Sequence, residues 1–470
     1  SDGKIQYRLM RVYQTDKTSM QIKEGTSEIA AGAFAGCTDL EILYVPDTVE
    51  TAGENFLGEC SSLETVVSLN RELFVKDKYG AVSTAEIFTA GDTFTGFSWD
   101  EGTVYGETAD GYTLLNVPTD YSETLKIRKG TSVFYKQALK GCESVRYIMI
   151  LDDLALREIG EECFSNCAAI NGVDLETCTN LTTIGDRAFY ECTELAAILL
   201  PESLETIGLE AFYNCTLLEK VTAPAVRTVG DRAFYGCGSL MTTDMFNAVE
   251  SLGDGAFYGC TGLTGVVLPE TLQNMGESCF ENCTMLKSIT INGNITGISR
   301  YCFYGCKTLT DITFRDSGSR SGALRVIGVE AFGNCTGLET IDLGNLDSLT
   351  AMGEGVFTEC ESLTTVKLPK QLAKIPDNCF NGCKNLSIVQ IESENVPQLG
   401  EKVFGDTLPS FLHIWVTDGM TEAYRNVYQP VLDPLYGEGT TESVLGVINS
   451  NQEIIRGVLF EITEEGRVLE

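Results

Sequence analysis

The residues best suited to carry chemistry in this chain are eighteen cysteines and a single histidine, and their spacing argues against a reactive site. Thirteen cysteines recur at one position of a repeated phrase: Cys37, Cys60, Cys142, Cys167, Cys192, Cys215, Cys237, Cys260, Cys283, Cys306, Cys335, Cys360 and Cys383. Four more, Cys163, Cys279, Cys302 and Cys379, stand where other copies carry Ala188, Ala211, Ala233, Ala256 or Ala331. Only Cys178 lies outside both columns. Zinc would want Cys-x-x-Cys pairs or imidazole partners, and the chain has no such pair and one histidine in total. A position that exchanges Cys for Ala is a small buried one, where a thiol behaves as an apolar group. The expectation is buried free thiols, with disulfide stapling as the second choice.

Other chemistries fare no better. His413 is the sole imidazole, so Cys–His or Ser–His catalysis has one candidate base and nothing marking a partner. Asp174, Asp244, Asp311 and Asp342 point outward from predicted strands, and acids on one face at about 5–9 Å are the machinery of glycosidases. Exposed acids are nevertheless ordinary on so acidic a chain. Asp186, Asp231 and Asp254, with Glu161, Glu277 and Glu354, follow a glycine in each copy. Their spacing differs from that of calcium-binding β-rolls, and they read as N-caps of short helical turns. Asn-Cys-Thr at Asn214, Asn282 and Asn334 satisfies the glycosylation sequon, but the repeat itself generates it. Phosphate-cradling glycine motifs are absent. Catalytic, cofactor and metal residues are therefore all assigned as none.

The elements behind these columns are repeats. The phrase Ile184-Gly-Asp-Arg-Ala-Phe-Tyr-Glu-Cys192 returns nearly unchanged at Val229–Cys237 and Leu252–Cys260. Phe or a substitute marks fourteen copies: Phe34, Phe56, Leu139, Phe164, Phe189, Phe212, Phe234, Phe257, Phe280, Phe303, Phe332, Phe357, Phe380 and Phe404. From Phe189 to Phe303 the step is 23, 22, 23, 23 and 23 residues. A period in the twenties marks a solenoid, whose units bury their apolar faces only by stacking. In the unit Leu263–Met285, Val266 and Leu268 alternate as a strand does, and Pro269 ends the strand because it cannot donate to a ladder. The fold class is α/β: a solenoid of about fourteen rungs with stacked parallel strands, one hairpin insertion and end caps.

Composition narrows the partners. The chain has 470 residues, 43% of them apolar, with 33 Lys plus Arg against 67 Asp plus Glu, a net charge of −34. So acidic a surface repels phosphate backbones and anionic lipid heads, which disfavours nucleic acid and membrane surfaces. No apolar run approaches the roughly 18 residues needed to span a bilayer. The opening Ser1-Asp2-Gly3 reads as a mature or trimmed chain, with any export signal or anchor out of sight.

The Leu-x-x-Val/Ile-x-Leu-Pro strand, the Ile-Gly-Asp turn and the Ala-Phe-x-x-Cys closure together resemble the BspA-like (Treponema-type) leucine-rich repeats. The resemblance covers roughly residues 18 to 436. It implies a leucine-rich-repeat solenoid and a bacterial surface or secreted protein that binds host or extracellular ligands. It implies no catalytic residues and no fixed ligand positions.

The expected organisation is an N-terminal cap over 1–17, repeats over 18–68, a degenerate repeat with a hairpin insertion over 69–120, and repeats over 121–410. A C-terminal cap follows over 411–436, then a linker and tail over 437–470. In the insertion, Val104 to Leu115 reads as a hairpin turning at Asp110-Gly111. Its aromatics Phe94, Phe97, Trp99, Tyr105 and Tyr112 are expected to form a local core rather than a binding finger. The step of 29 between Phe303 and Phe332 accommodates a Ser/Gly loop with Arg315, Arg320 and Arg325 at or near it. Thr421 to Tyr428 reads as a short helix covering the last rung, and Ile454 to Glu470 as a hairpin that is expected to begin a further domain.

Residues flanking the central apolar position of each strand point away from the core, so stacking turns them into two outward columns. Most are polar, as at Lys220, Thr222, Thr242, Ser288, Thr290 and Thr313. Ile42, Tyr44, Tyr147, Met149, Ala197 and Leu199 are not, and His413 and Trp415 end the columns. Large apolar residues on a polar sheet signal recognition, and Tyr and Trp are favoured anchors. Tyr44, Tyr147, Met149, Leu199 and Trp415 are accordingly the candidate ligand-binding residues. The expected function is a binding or adhesion module for an extracellular protein or glycan. A carboxylate-based glycan hydrolase and a structural spacer without ligand are the alternatives.

Overall fold

A glycine in most turns lets successive turns approach closely. An ideal Cβ on Gly230 would stand 2.6 Å from the carbonyl carbon of Gly208, and one on Gly253 2.4 Å from the amide nitrogen of Asp231. No side chain fits there, which explains the glycine of the Ile-Gly-Asp phrase. The structure, a computed structural model, describes residues 6–13, 16–68, 70–74, 85–89, 93–121, 124–150, 155–242, 247–292, 294–315, 324–393 and 395–448. It divides into two compact units, Ser1–Asn292 and Gly293–Glu470. The predicted Asp244, loop residues 316–323 and tail hairpin 454–470 lie outside the described residues.

The repeat architecture is the expected one, a leucine-rich-repeat solenoid of mostly parallel strands with few helices. It makes about sixteen turns rather than fourteen. Some turns pair as strands yet lack the closing phrase, as do Glu86–Thr89 against Thr65–Ser68 and His413–Thr417 against Ile388–Ile391.

In the first unit, Thr124–Ile127, Tyr147–Ile150, Gly172–Asp174, Ala197–Leu199 and Lys220–Thr222 form one parallel ladder. Glu158–Ile159, Thr183–Ile184, Thr206–Ile207, Thr228–Val229, Ser251–Leu252 and Asn274–Met275 form a second. The closing turns form a third side, tied by hydrogen bonds from the Phe189 amide to the Ala211 carbonyl and from the Phe212 amide to the Ala233 carbonyl, each 2.7 Å. Inside it the rings of Phe164, Phe189, Phe212, Phe234, Phe257 and Phe280 stack with centroids 4.8–5.4 Å apart. In the second unit Phe303, Phe332, Phe357, Phe380 and Phe404 stack likewise, at 5.4–5.9 Å.

The buried cysteines do more than fill space. Most closing thiols donate to the carbonyl of the column residue one turn earlier: Cys192 to Phe164, Cys215 to Phe189, Cys237 to Phe212 and Cys260 to Phe234, at 3.0–3.1 Å. The second unit repeats this with Cys335 to Phe303, Cys360 to Phe332 and Cys383 to Phe357, at 3.0–3.2 Å. None of the eighteen cysteines is in a disulfide, and Cys60 alone is not fully buried. Burial pushes the closing-column thiols of Cys192, Cys215, Cys237 and Cys260 up, so they stay protonated donors.

The N-cap expectation for the Gly-Asp column is corrected. Asp186 Oδ1 accepts the amide of Leu209 at 2.8 Å, Asp231 that of Asp254 at 2.9 Å, and Asp254 that of Glu277 at 2.7 Å. Each carboxylate thus clamps the next turn instead of capping a helix in its own. No helix can start there, because the following residue is left-handed, with φ of 53° at Arg187 and 52° at Arg232. A second left-handed position precedes each closing cysteine. It is occupied by Asn214, Asn282 and Asn334, which accounts for the recurring sequon by backbone geometry.

The insertion contains Gly96–Asp100, Thr103–Thr108 and Gly111–Asn116 as an antiparallel meander, with the expected hairpin between the last two. The C-terminal helix is longer than predicted, running Thr421–Tyr436 through Pro430 and Pro434. It buries Tyr424, Tyr428 and Leu432, and the Tyr424 hydroxyl donates to the Ser393 carbonyl at 3.1 Å. Residues read as linker instead contain a short helix, Thr440–Val444, and a strand, Leu445–Ile448, parallel to His413–Thr417. The carboxylate of Asp433 holds the amide and hydroxyl of Thr441, fixing that return.

Candidate functional site

The five candidate residues separate by what stands beside them in their columns. Tyr44 is the clearest correction. It lies on Ile42–Val45 in register with Val67 and, one strand further, Phe88, and all three are apolar and outward. The insertion covers that apolar face, packing Phe94, Phe97, Val104 and Leu115 against Ile42, Tyr44, Val67 and Phe88. Tyr44 retains 9% of its exposure, and its hydroxyl donates to the Phe97 carbonyl at 3.3 Å. Its ring meets Trp99 edge-on at 6.1 Å. The insert aromatics form the local core expected of them, and Tyr44 is part of it rather than a ligand anchor.

Tyr147 and Met149 are open, at 55% and 45% exposure. Tyr147 stands in register with Thr124 on one side and Gly172 on the other, and Gly172 with Ala197. Two small residues therefore leave one face of the phenol ring uncovered. Beside it lies a hollow of about 250 Å³ lined by Arg146, Tyr147, Ala169, Asn171 and Glu194. Lys126 is in register with Met149. Leu199 is half-buried between Asp174 and Thr222 in the register.

Trp415 lies in the second unit, half-buried, 6.4 Å from His413 edge to face. The strand Leu445–Ile448 passes alongside, with Gly446 in register. The buried indole nitrogen has no acceptor among the described residues. Of the outward acids, Asp174, Asp311 and Asp342 are exposed. Asp174 and Asp342 accept amides of their own turns, from Glu176 and Gly344, so their carboxylates organise local turns.

A feature that the outward columns do not include lies on the closing turns. Tyr190, Tyr213, Tyr235 and Tyr258 stack in parallel, with centroids 4.9, 4.6 and 4.6 Å apart and planes within 8°. Beside them Glu210 is shared by Arg187, at 2.7 Å, and Arg232, at 3.5 Å. Burial, first, and neighbouring acidic groups push the Tyr190 and Tyr235 phenols up, keeping them protonated. The signal was present in the sequence: Tyr follows the column Phe in four successive turns.

The family match agrees with this architecture. The chain matches the BspA type leucine rich repeat region, six copies, over residues 12–76, 119–241, 227–323 and 318–431, and it belongs to that family. Among solved structures it is similar to a leucine-rich repeat protein of Bacteroides ovatus, with 24% identity over 82% of this chain and 86% of that one, and a TM-score of 0.48. It is also similar to a leucine-rich cell surface protein of Faecalibacterium prausnitzii, with 21% identity, 65% and 96% coverage, and a TM-score of 0.39. A leucine-rich repeat protein of Treponema pallidum shares 21% identity, with 50% and 86% coverage and a TM-score of 0.33. No curated protein sequence matches. Among the described residues no helix is long and apolar enough to cross a membrane, and no group of three or more His, Cys, Asp or Glu could hold a metal ion.

Proposed function

We propose that this chain is a bacterial surface or secreted binding module whose strand face engages an extracellular protein or glycan. The observation that carries the reading is the open ring of Tyr147, with Met149 exposed on the same strand and small Gly172 and Ala197 in register. An uncovered aromatic face beside a hollow accepts an apolar side chain or the flat side of a sugar ring, and such anchors dominate interface energies. Leu199 extends the patch, and Trp415 offers a smaller contact in the second unit. Membership of a repeat family built to display broad surfaces supports binding over catalysis.

The test is a screen of labelled protein against extracellular-matrix, mucin and glycan arrays beside the Tyr147→Ala/Met149→Ala double variant. A ligand bound at least about a hundredfold less tightly by the variant is the expected result, the scale of a central anchor pair. Equal binding by both proteins would move the site off this face, and no binding by folded protein would favour a spacer.

A further inference from the structure

The charged residues of the closing turns form a row that stops one step short. Glu162, Arg187, Glu210 and Arg232 hold the same left-handed position in four successive turns, with φ of 52–54°. Lys140 meets Glu162 at 2.6 Å from the neighbouring column. Arg187 lies 4.0 Å from Glu162 and 2.7 Å from Glu210, and Arg232 lies 3.5 Å from Glu210. Signs therefore alternate, and each inner group has an opposite charge on both sides. Arg232 ends the row. Its side chain is 59% exposed where that of Glu210 is 10%, and among the described residues it meets a carboxylate on one side only.

The alternation calls for an acid in the next turn, which has Gly255 instead. The backbone does not require glycine there: its φ is 59°, and Ser278 holds the same position one turn on at 55°. Crowding does not require it either. An ideal Cβ on Gly255 would meet nothing nearer than Arg232 Cγ at 3.5 Å and Tyr258 Cβ at 3.7 Å, both ordinary contacts. The missing side chain leaves a notch in a groove of about 650 Å³, within the small-ligand range of about 300–1,000 Å³. Gly355, which holds this position in the second unit, makes no such place. A Cβ there would stand 3.0 Å from Glu330 Cγ, and that neighbour is an acid.

The rest of the groove supplies donors. The Tyr258 hydroxyl accepts from Asn282 Nδ2 at 3.0 Å, so its own proton is left for another acceptor. Tyr235 and Ser278 add hydroxyls to the same lining. Tyr also follows the column Phe at Tyr304, so the phenols belong to the scaffold and selectivity comes from the charged row. A guanidinium fork beside neutral hydroxyls is a donor set for a carboxylate. One cation neutralises one negative charge, and Asp254 and Glu277 at the end of the groove repel a second. The acidity of the whole chain is screened beyond about 8 Å at physiological salt, so these near groups decide.

We infer that the notch over Gly255 binds the carboxylate of a monoanionic ligand, which takes the place of the absent acid and pairs with the open side of Arg232. The site lies on the closing turns, shares no residue with the strand-face patch and does not rest on the binding role given to that patch.

The experiment is saturation-transfer NMR on the full chain with two probes. Butyrate reproduces a glutamate side chain from its Cα outward, and N-acetyl-glutamate α-amide carries the same acid on a blocked main chain. Butanol, butylammonium and inorganic phosphate are the controls. A carboxylate probe should give a saturable signal that the controls lack. Binding of both probes assigns a small free acid, and binding of the blocked glutamate alone assigns an acidic polypeptide side chain. Gly255→Glu supplies the acid from the chain itself and should abolish binding without lowering the melting temperature. Arg232→Gln removes the exposed cation with no backbone change and should weaken binding at least about tenfold. Tyr147→Ala should leave it intact. Silence of both carboxylates, an equal signal from butanol or phosphate, or undiminished binding by Arg232→Gln or Gly255→Glu would each overturn the inference.

Discussion

Tyr147 and Tyr213 belong to the same unit and the same kind of repeat, yet their rings are used in opposite ways. Tyr213 has Tyr190 on one side and Tyr235 on the other, so both of its faces are covered. Tyr147 has Gly172 as its neighbour, and that face is bare. In a stacked array the identity of one residue matters less than that of the residue a turn away. A column of equals becomes a wall. A column interrupted by glycine becomes a place for something else to sit.

The difference can be broken at several strengths. The largest effect lies beneath both regions, in the phenylalanine stack that holds the turns in register. Phe234→Ala should cost about 3–5 kcal/mol in chemical denaturation, because neighbouring rings can collapse only partly into the gap. Tyr213→Ala forfeits two stacked pairs and should lose about 1–3 kcal/mol, whereas Tyr147→Ala should stay within about 0.5 kcal/mol. Equal losses would mean that stacking does not distinguish the two rings. Gly172→Val addresses the bare face directly. A Cβ there meets nothing nearer than the Ala197 carbonyl oxygen at 3.6 Å, so the fold should tolerate it. It should weaken a strand-face ligand about tenfold, roughly 1.4 kcal/mol, by covering the ring. Unchanged affinity would remove the ring face from the site.

The smallest effect is electrostatic and belongs to the closing turns alone. The Lys140 ammonium, followed by the Gln137 amide, holds the Glu162 carboxyl below the usual glutamate range. A carboxyl depressed in the folded state adds stability above its unfolded pKa and loses it as pH falls through the folded value. Glu162→Gln should therefore be less stable at neutral pH by under about 1 kcal/mol and converge with the parent in acid. Denaturation curves at several pH values would show a constant gap if the pairing contributes nothing.

Much of this was legible before any coordinates. Phe and Cys columns repeated at a fixed step fix the register of turns, because many copies report one environment. The hairpin was visible through Asp110-Gly111 and alternating apolar residues. Three things were hidden for one reason, that local patterns do not say what lies alongside. Tyr44 looked outward because its strand alternates correctly, but the covering surface arrives from residues 94–115. Asp186 looked like a helix cap because a cap is a rule within one segment, while its partner Leu209 is a turn away. The tyrosine row was in plain view, yet only stacking turns four separate residues into a surface. The longer C-terminal helix ran past Pro430 and Pro434, where a sequence reader stops.

The thiol ladder has a practical consequence. Most closing sulfurs are buried against the carbonyl of the preceding turn, so each of these becomes reachable by a reagent only when its own part of the array opens. The cysteines thus work as a set of numbered seals, one in most turns. Brief alkylation under mild denaturant, read residue by residue by mass spectrometry, would record the order in which the turns come apart without any substitution in the chain.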